Sequence, residues 1–288
     1  MKSKVMFILL ILIPVIGIKS QIPIIVSDDS LKIGKTLLPG LSVNIPESDF
    51  DKTLERWKKE LKYGSKSKVV MENNEMSIFG ANLKNISPNP VNVYSKLIRQ
   101  DSMLRLFVSL EKKKDEYIER STSVAEFIKL QDYMKQFAKD QYIEVAKAQS
   151  DAEDKKLYNL QQELSLIENK KSKLLKSIES DKALIISEKD NIALQNNELQ
   201  TVDAAIKEQA GGNAKSDQIK ELDKRKKKVL NSIESSERKI AKASNAIDKA
   251  NNEIPVNEQK QARVKEQVVQ QEAVSFRYAD KLRRIREY

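Results

Sequence analysis

Few side chains in this chain could carry covalent chemistry. Its 288 residues include no His and no Cys. That excludes Ser-His-Asp and Cys-His nucleophiles, His/Cys zinc sites, haem and iron–sulfur ligation, disulfides and a histidine pH switch. Glu47, Asp49 and Asp51 have the side chains for acid–base work or Ca²⁺ binding. Their spacing lacks the glycine and distal Glu of an EF-hand loop, and acidic residues are favoured at a helix N-terminus in any case. Ser65 and Lys68 fit a Ser-x-x-Lys pattern, which arises easily in a Lys-rich chain and has no companion motif here. Gly34-Lys35-Thr36 closes an apolar stretch over 22–36 and resembles the tail of a phosphate loop. Such a loop needs glycine five positions earlier. Asp29 stands there beside Asp28, and two carboxylates repel a triphosphate. The residues therefore predict no catalytic residue, no metal site, no cofactor and no enzyme.

The remaining chemistry is electrostatic. Lys+Arg number 52 against 42 Asp+Glu, a formal charge of +10. The densest basic run is Lys224-Arg225-Lys226-Lys227-Lys228. Lys224, Arg225, Lys227 and Lys228 are the expected contact with an anionic partner, such as phospholipid head groups or an acidic polymer. A solvated helix face beside Glu221 and Asp223 is the alternative. Nucleic acid is not expected, because no aromatics interleave with the lysines to stack on bases. The C-terminal cluster Arg277, Lys281, Arg283, Arg284 and Arg286 suits a helix C-terminus.

The elements that must position these groups fall into stretches with different rules. Residues 1–20 read as a secretory signal: Lys2 and Lys4 precede an apolar run over 5–18, and Ile18-Lys19-Ser20 suits cleavage before Gln21. Cleavage would remove Lys2, Lys4 and Lys19 and lower the formal charge from +10 to +7. A periplasmic or extracellular location in a bacterium follows. Residues 21–36 read as a linker.

Residues 37–149 predict a small α+β domain. Leu41, Val43 and Ile45 alternate as in a strand. Ser48 with Asp51 reads as a capping box for a helix whose Phe50, Leu54, Trp57 and Leu61 share one stripe, with Gly64 at its end. Short strands follow near 68–72 and 75–79, turning at Asn73-Asn74. A hairpin of 91–99 and 103–111 carries Leu104, Leu106, Val108 and Leu110 on one face. Ser123 with Glu126 reads as a second capping box, opening a helix that packs Val124, Phe127, Met134 and Phe137 inward.

Residues 150–288 predict an antiparallel coiled-coil hairpin. No aromatic occurs over 159–275, consistent with a seam too narrow to need one. Heptad a positions read Leu157, Leu164, Lys171, Ile178, Ile185, Ile192, Leu199 and Ile206. The d positions read Leu160, Ile167, Leu174, Asp181, Glu188, Gln195, Val202 and Gln209. A second frame starts at Ile219 and Leu222 and continues through Ile233, Ile240, Ile247, Ile254, Val264, Val268, Leu282 and Ile285. Gly211-Gly212-Asn213 predicts the reversal, near 210–216. Closed there, the register sets Ile206 on Leu222, Leu199 on Val229, Ile178 on Ala250, Lys171 on Asn257 and Leu164 on Val264. Run on, it lays Leu282 on Ala146 and Ile285 on Ile143, back at the first domain. The arm would be roughly 80 Å long at 1.5 Å per residue. Asp181, Glu188 and Gln195 at successive d positions predict a soft middle over 174–195, and Pro255 predicts a kink.

The layout resembles exported bacterial proteins with a small α+β domain before a helical hairpin. More loosely, it is similar to Skp/OmpH-type periplasmic chaperones, which are exported, basic and cysteine-free with long helical arms. The architecture implies a non-enzymatic scaffold or adaptor that engages envelope proteins through its arm and is able to form homo-oligomers. The chaperone likeness implies the alternative, a holdase for outer-membrane clients.

Overall fold

The computed structural model of the protein describes residues 22–210 and 216–288. The predicted signal segment 1–20 and most of the predicted reversal, 211–215, lie outside the described residues. The described residues divide into two compact units, one of 22–153 with 275–288 and one within 154–274.

The first unit is a seven-stranded antiparallel sheet with helices on one face. β1 (Val26–Ile33), β2 (Thr36–Pro46), β3 (Val70–Glu72), β4 (Glu75–Ala81), β5 (Val91–Gln100) and β6 (Met103–Lys113) take the order β1-β2-β6-β5-β4-β3, and β7 (Glu116–Tyr117) pairs with β6. The Asn73-Asn74 turn forms as expected: both residues have positive φ, a conformation asparagine tolerates. α1 (Phe50–Lys62) buries Phe50, Leu54, Trp57 and Leu61, the stripe read from the sequence. The capping residue differs. Asp49, not Ser48, is the N-cap, accepting from the Lys52 amide at 2.9 Å, while the Ser48 hydroxyl donates back to the Pro46 carbonyl. A carboxylate one residue closer to the helix both caps it and meets its positive end. Tyr63 ends the helix and Gly64 follows at φ +69, a backbone position that suits glycine.

The linker reading of 21–36 is corrected: 26–33 is an edge strand paired along its length with β2. Asp28 and Asp29 mask the alternation in the sequence, but each carboxylate has a cation. Asp28 pairs with Arg120, and Asp29 with Arg105 and the Ser42 hydroxyl. Gly34, where the tail of a phosphate loop would lie, is in the turn between β1 and β2. Its amide donates to Glu75 Oε2 at 2.9 Å, so a carboxylate occupies that donor. Gly40 marks the close approach of β2 to β6. A Cβ there would fall on the Val108 carbonyl oxygen and 3.0 Å from the Phe107 ring.

The core joins the inner sheet face to α1, to the beginning of α2 (Val124–Ala210) and to the end of α3 (Ser216–Arg286). Ile285 is fully buried in this cluster, with Leu282, Ile143 and Ala146 in the same apolar set. The return of the C-terminus to the first unit agrees with the register.

The second unit consists of the two long helices packed antiparallel. Every a and d position named above on α2 is buried or half-buried, and nearly all the intervening residues are exposed. Leu164, Ile167, Val264 and Val268 share one apolar cluster. Ion pairs across the flanks set the same register: Glu163–Lys260, Lys170–Glu253 and Glu198–Arg225 on one edge, and Glu168–Lys265 on the other. In the middle, Ala243 and Ala250 are buried opposite Ile185 and Ile178. The seam thus pairs small with large side chains. Pro255 sits inside α3 without ending the helix.

Candidate functional site

The basic run lies on α3 about two turns into the helix, and two of its five cations are already neutralised from α2. Arg225 is 2.9 Å from Glu198, and Lys226, at a seam position, reaches Asp203 at 2.8 Å. Among the described residues, Lys224, Lys227 and Lys228 have no ion-pair partner. They line one concavity with Arg225, Asn231 and Ser232. The structure thus brings the four predicted contact residues together. The carboxylates of Glu198 and Glu221 line the same hollow, so its four cations leave it only moderately positive. The three unpaired ammonium groups can still attract an anion by charge, with amide and hydroxyl donors beside them.

The three acidic residues 47, 49 and 51 do not converge. Asp49 is the cap and Asp51 is in the first turn of α1. Glu47 turns away, into a cluster that the sequence did not reveal. Its carboxylate accepts from Lys281 at 2.6 and 2.8 Å, from the Gln149 amide at 3.0 Å and from the Tyr142 hydroxyl at 3.5 Å. Lys281 also donates to Gln149 Oε1 and lies 5.6 Å over the Tyr142 ring. Burial alone would raise the Glu47 pKa, but the Lys281 and Gln149 hydrogen bonds outweigh it and lower it below the usual 4.5. Burial pushes the Tyr142 hydroxyl up to about 12. Lys281, Gln149 and Tyr142 all donate to one carboxylate, which makes this a latch joining the β2–α1 connection, α2 and the end of α3. The hairpin register could have signalled it, because run to its end it sets Lys281 opposite Lys147, two residues from Gln149.

A carboxylate with a lowered folded-state pKa contributes stability above its unfolded value, and that contribution disappears as pH falls through the folded value. Lys281→Met should therefore cost about 1–3 kcal/mol at pH 7. The gap between the two proteins should narrow at pH 3 to 4, as read by urea midpoints of the first unit. A gap independent of pH would mean that the lysine acts through packing alone.

Ser65 is likewise structural: its hydroxyl donates to the Leu61 carbonyl and accepts from the Asn82 amide at 2.9 Å. Among the described residues no cluster of three or more acidic side chains could hold a metal ion. No described helix is long and apolar enough to cross a membrane. No protein-family model and no curated protein matches this chain.

Proposed function

We propose that the protein is a non-enzymatic scaffold or adaptor of the bacterial envelope, periplasmic or extracellular after removal of 1–20, that engages a partner protein through its coiled-coil arm. The observation that carries this reading is the self-filled seam. The chain satisfies its own heptads across α2 and α3, so the faces turned outward are free for another molecule. Those faces carry large apolar residues: Ile186 and Leu194 are 63% and 67% exposed on α2, in a chain where 33% of residues are charged. Exposed apolar groups of this size on a charged surface are a recurring feature of docking faces. Lys224, Lys227 and Lys228 add attraction for an acidic surface on that partner. The same exposed apolar groups, on an arm that also carries unpaired lysines, favour the second reading, a holdase for unfolded outer-membrane clients.

Photo-crosslinking in intact cells separates the readings, with the crosslinker at Leu194 or at Tyr63, which is 82% exposed in the first unit. The adaptor reading expects one or two discrete envelope adducts from position 194. Their yield should fall in a Lys224→Gln/Lys227→Gln/Lys228→Gln variant. A ladder of many outer-membrane proteins from position 194 would instead identify a holdase. Adducts from position 63 with none from position 194 would overturn both.

A further inference from the structure

One groove on the hairpin has a charge pattern that is complementary to itself. It runs between α2 and α3 around Leu166, Ile167, Val256 and Asn257. Two ion pairs close its ends like rungs, Glu163–Lys260 and Lys170–Glu253, each 3.0 Å. Leu166 on α2 and Val256 on α3 lie between the rungs and are 70% and 67% exposed. In the floor Asn257 is 8% exposed, and its Oδ1 has no hydrogen-bond partner among the described residues. The corners therefore alternate in sign, negative and positive along each helix and across each rung.

We infer that this groove is an isologous interface at which a second copy of the same chain docks, two-fold related, with Leu166 and Val256 as its anchors. The argument is charge complementarity. A two-fold axis lying in the interface flips the partner's patch either across the helices or along them. When it swaps the two helices, Glu163 faces the partner's Lys260 and Lys170 faces its Glu253. When it swaps the two rungs, Glu163 faces the partner's Lys170 and Lys260 faces its Glu253. Every corner meets its opposite in both cases, as an isologous contact requires. Side chains already paired within one chain need little reorganisation to stack against a second set, so the ordering cost falls on the apolar anchors. Burying two exposed aliphatic side chains from each copy then supplies the attraction, and it is modest because the patch is small. An apolar pair framed by charges of alternating sign also discriminates. A partner with a uniformly charged groove would meet two repulsive corners.

The absence of cysteine from the chain gives a clean test on the mature protein. Sedimentation velocity over a concentration series is expected to show reversible monomer–dimer exchange, with association weakened at least about tenfold in Leu166→Glu/Val256→Glu. That variant should keep its helix content by circular dichroism, because both side chains already face solvent. Leu166→Cys alone, treated with a short bis-maleimide, should give a covalent dimer if the axis swaps the rungs. A mixture of Leu166→Cys and Val256→Cys molecules should give one if the axis swaps the helices. Monomers at every concentration with neither adduct would overturn the interface, as would a dimer whose affinity the double glutamate leaves unchanged.

Discussion

Trp57→Ala is expected to remove about 3–5 kcal/mol from the first unit, the range for emptying a large aromatic site that collapses incompletely. Trp57 is fully buried on α1. Its ring meets Phe137 edge-on at 5.0 Å and lies 6.2 Å from Tyr133, so one side chain ties α1 to the beginning of α2. Its indole Nε1 donates to the Ser95 hydroxyl at 2.9 Å, and Ser95 on β5 is itself fully buried. The substitution therefore opens a cavity and also strands a hydroxyl in the core. Trp57→Phe separates the two effects: it retains much of the ring packing, loses the Ser95 bond, and should cost clearly less. Urea unfolding read by circular dichroism and by hydrogen exchange of the sheet amides measures both. Exchange in the second unit should not change. A loss below about 1 kcal/mol would mean that α1 is not anchored through this residue.

The position of Trp57 illustrates what was legible in the sequence. Where a residue's environment is set by the period of its own element, the pattern mostly suffices, although Val124, expected inward at the start of α2, is exposed. The stripe of α1, the alternation of β6 and the heptads of α2 and α3 each encode which face turns inward. The register of the hairpin was also legible, because apolar positions meet along two long patterns and polar Lys171 falls opposite Asn257. What escaped was set by residues far apart in the chain. β1 looked like a linker because the cations of Asp28 and Asp29 lie at Arg120 and Arg105, where no local rule points. Phe107 is fully buried on the opposite face from Leu106 and Val108, so one side of β6 was read and the other was not. Glu47 was grouped with Asp49 and Asp51 by proximity in sequence, whereas its partner is Lys281. At the candidate anionic contact, composition located the lysines. Which of them stay unpaired depended on Glu198 and Asp203 across the seam.

Filling the polar middle of the seam is the second large effect expected, and it is a gain. Gln195 is half-buried and gives its amide to the Ser232 hydroxyl at 2.6 Å, but its Oε1 is buried with no partner among the described residues. Leucine there would remove an unsatisfied acceptor and add apolar contact with Ile233, a stabilisation of about 2–4 kcal/mol. Glu188, one heptad away, points the same way. Its side chain is 7% exposed, with one oxygen 2.7 Å from Lys239 and the other without a partner among the described residues. A two-helix seam has water on both flanks, so this carboxylate stays charged, and the Lys239 and Ser236 hydrogen bonds lower its pKa. Its contribution is therefore present above the ordinary carboxylate range and lost as pH falls through the lowered value. In Glu188→Leu that acid dependence should vanish, while Lys239, already exposed, loses little. The register should survive the loss of both polar groups, because the flanking charges specify it. A slip of one heptad brings Glu163 onto Glu253 in one direction and Lys170 onto Lys260 in the other. The combined variant, Glu188→Leu/Gln195→Leu, is therefore expected to unfold at higher urea. Amide exchange over 174–195, expected in the natural protein to be faster than around Leu199 and Val229, should slow to match those layers. Unchanged or weakened stability would show that the polar positions form a satisfied network, and that the middle of the hairpin is as firm as its ends.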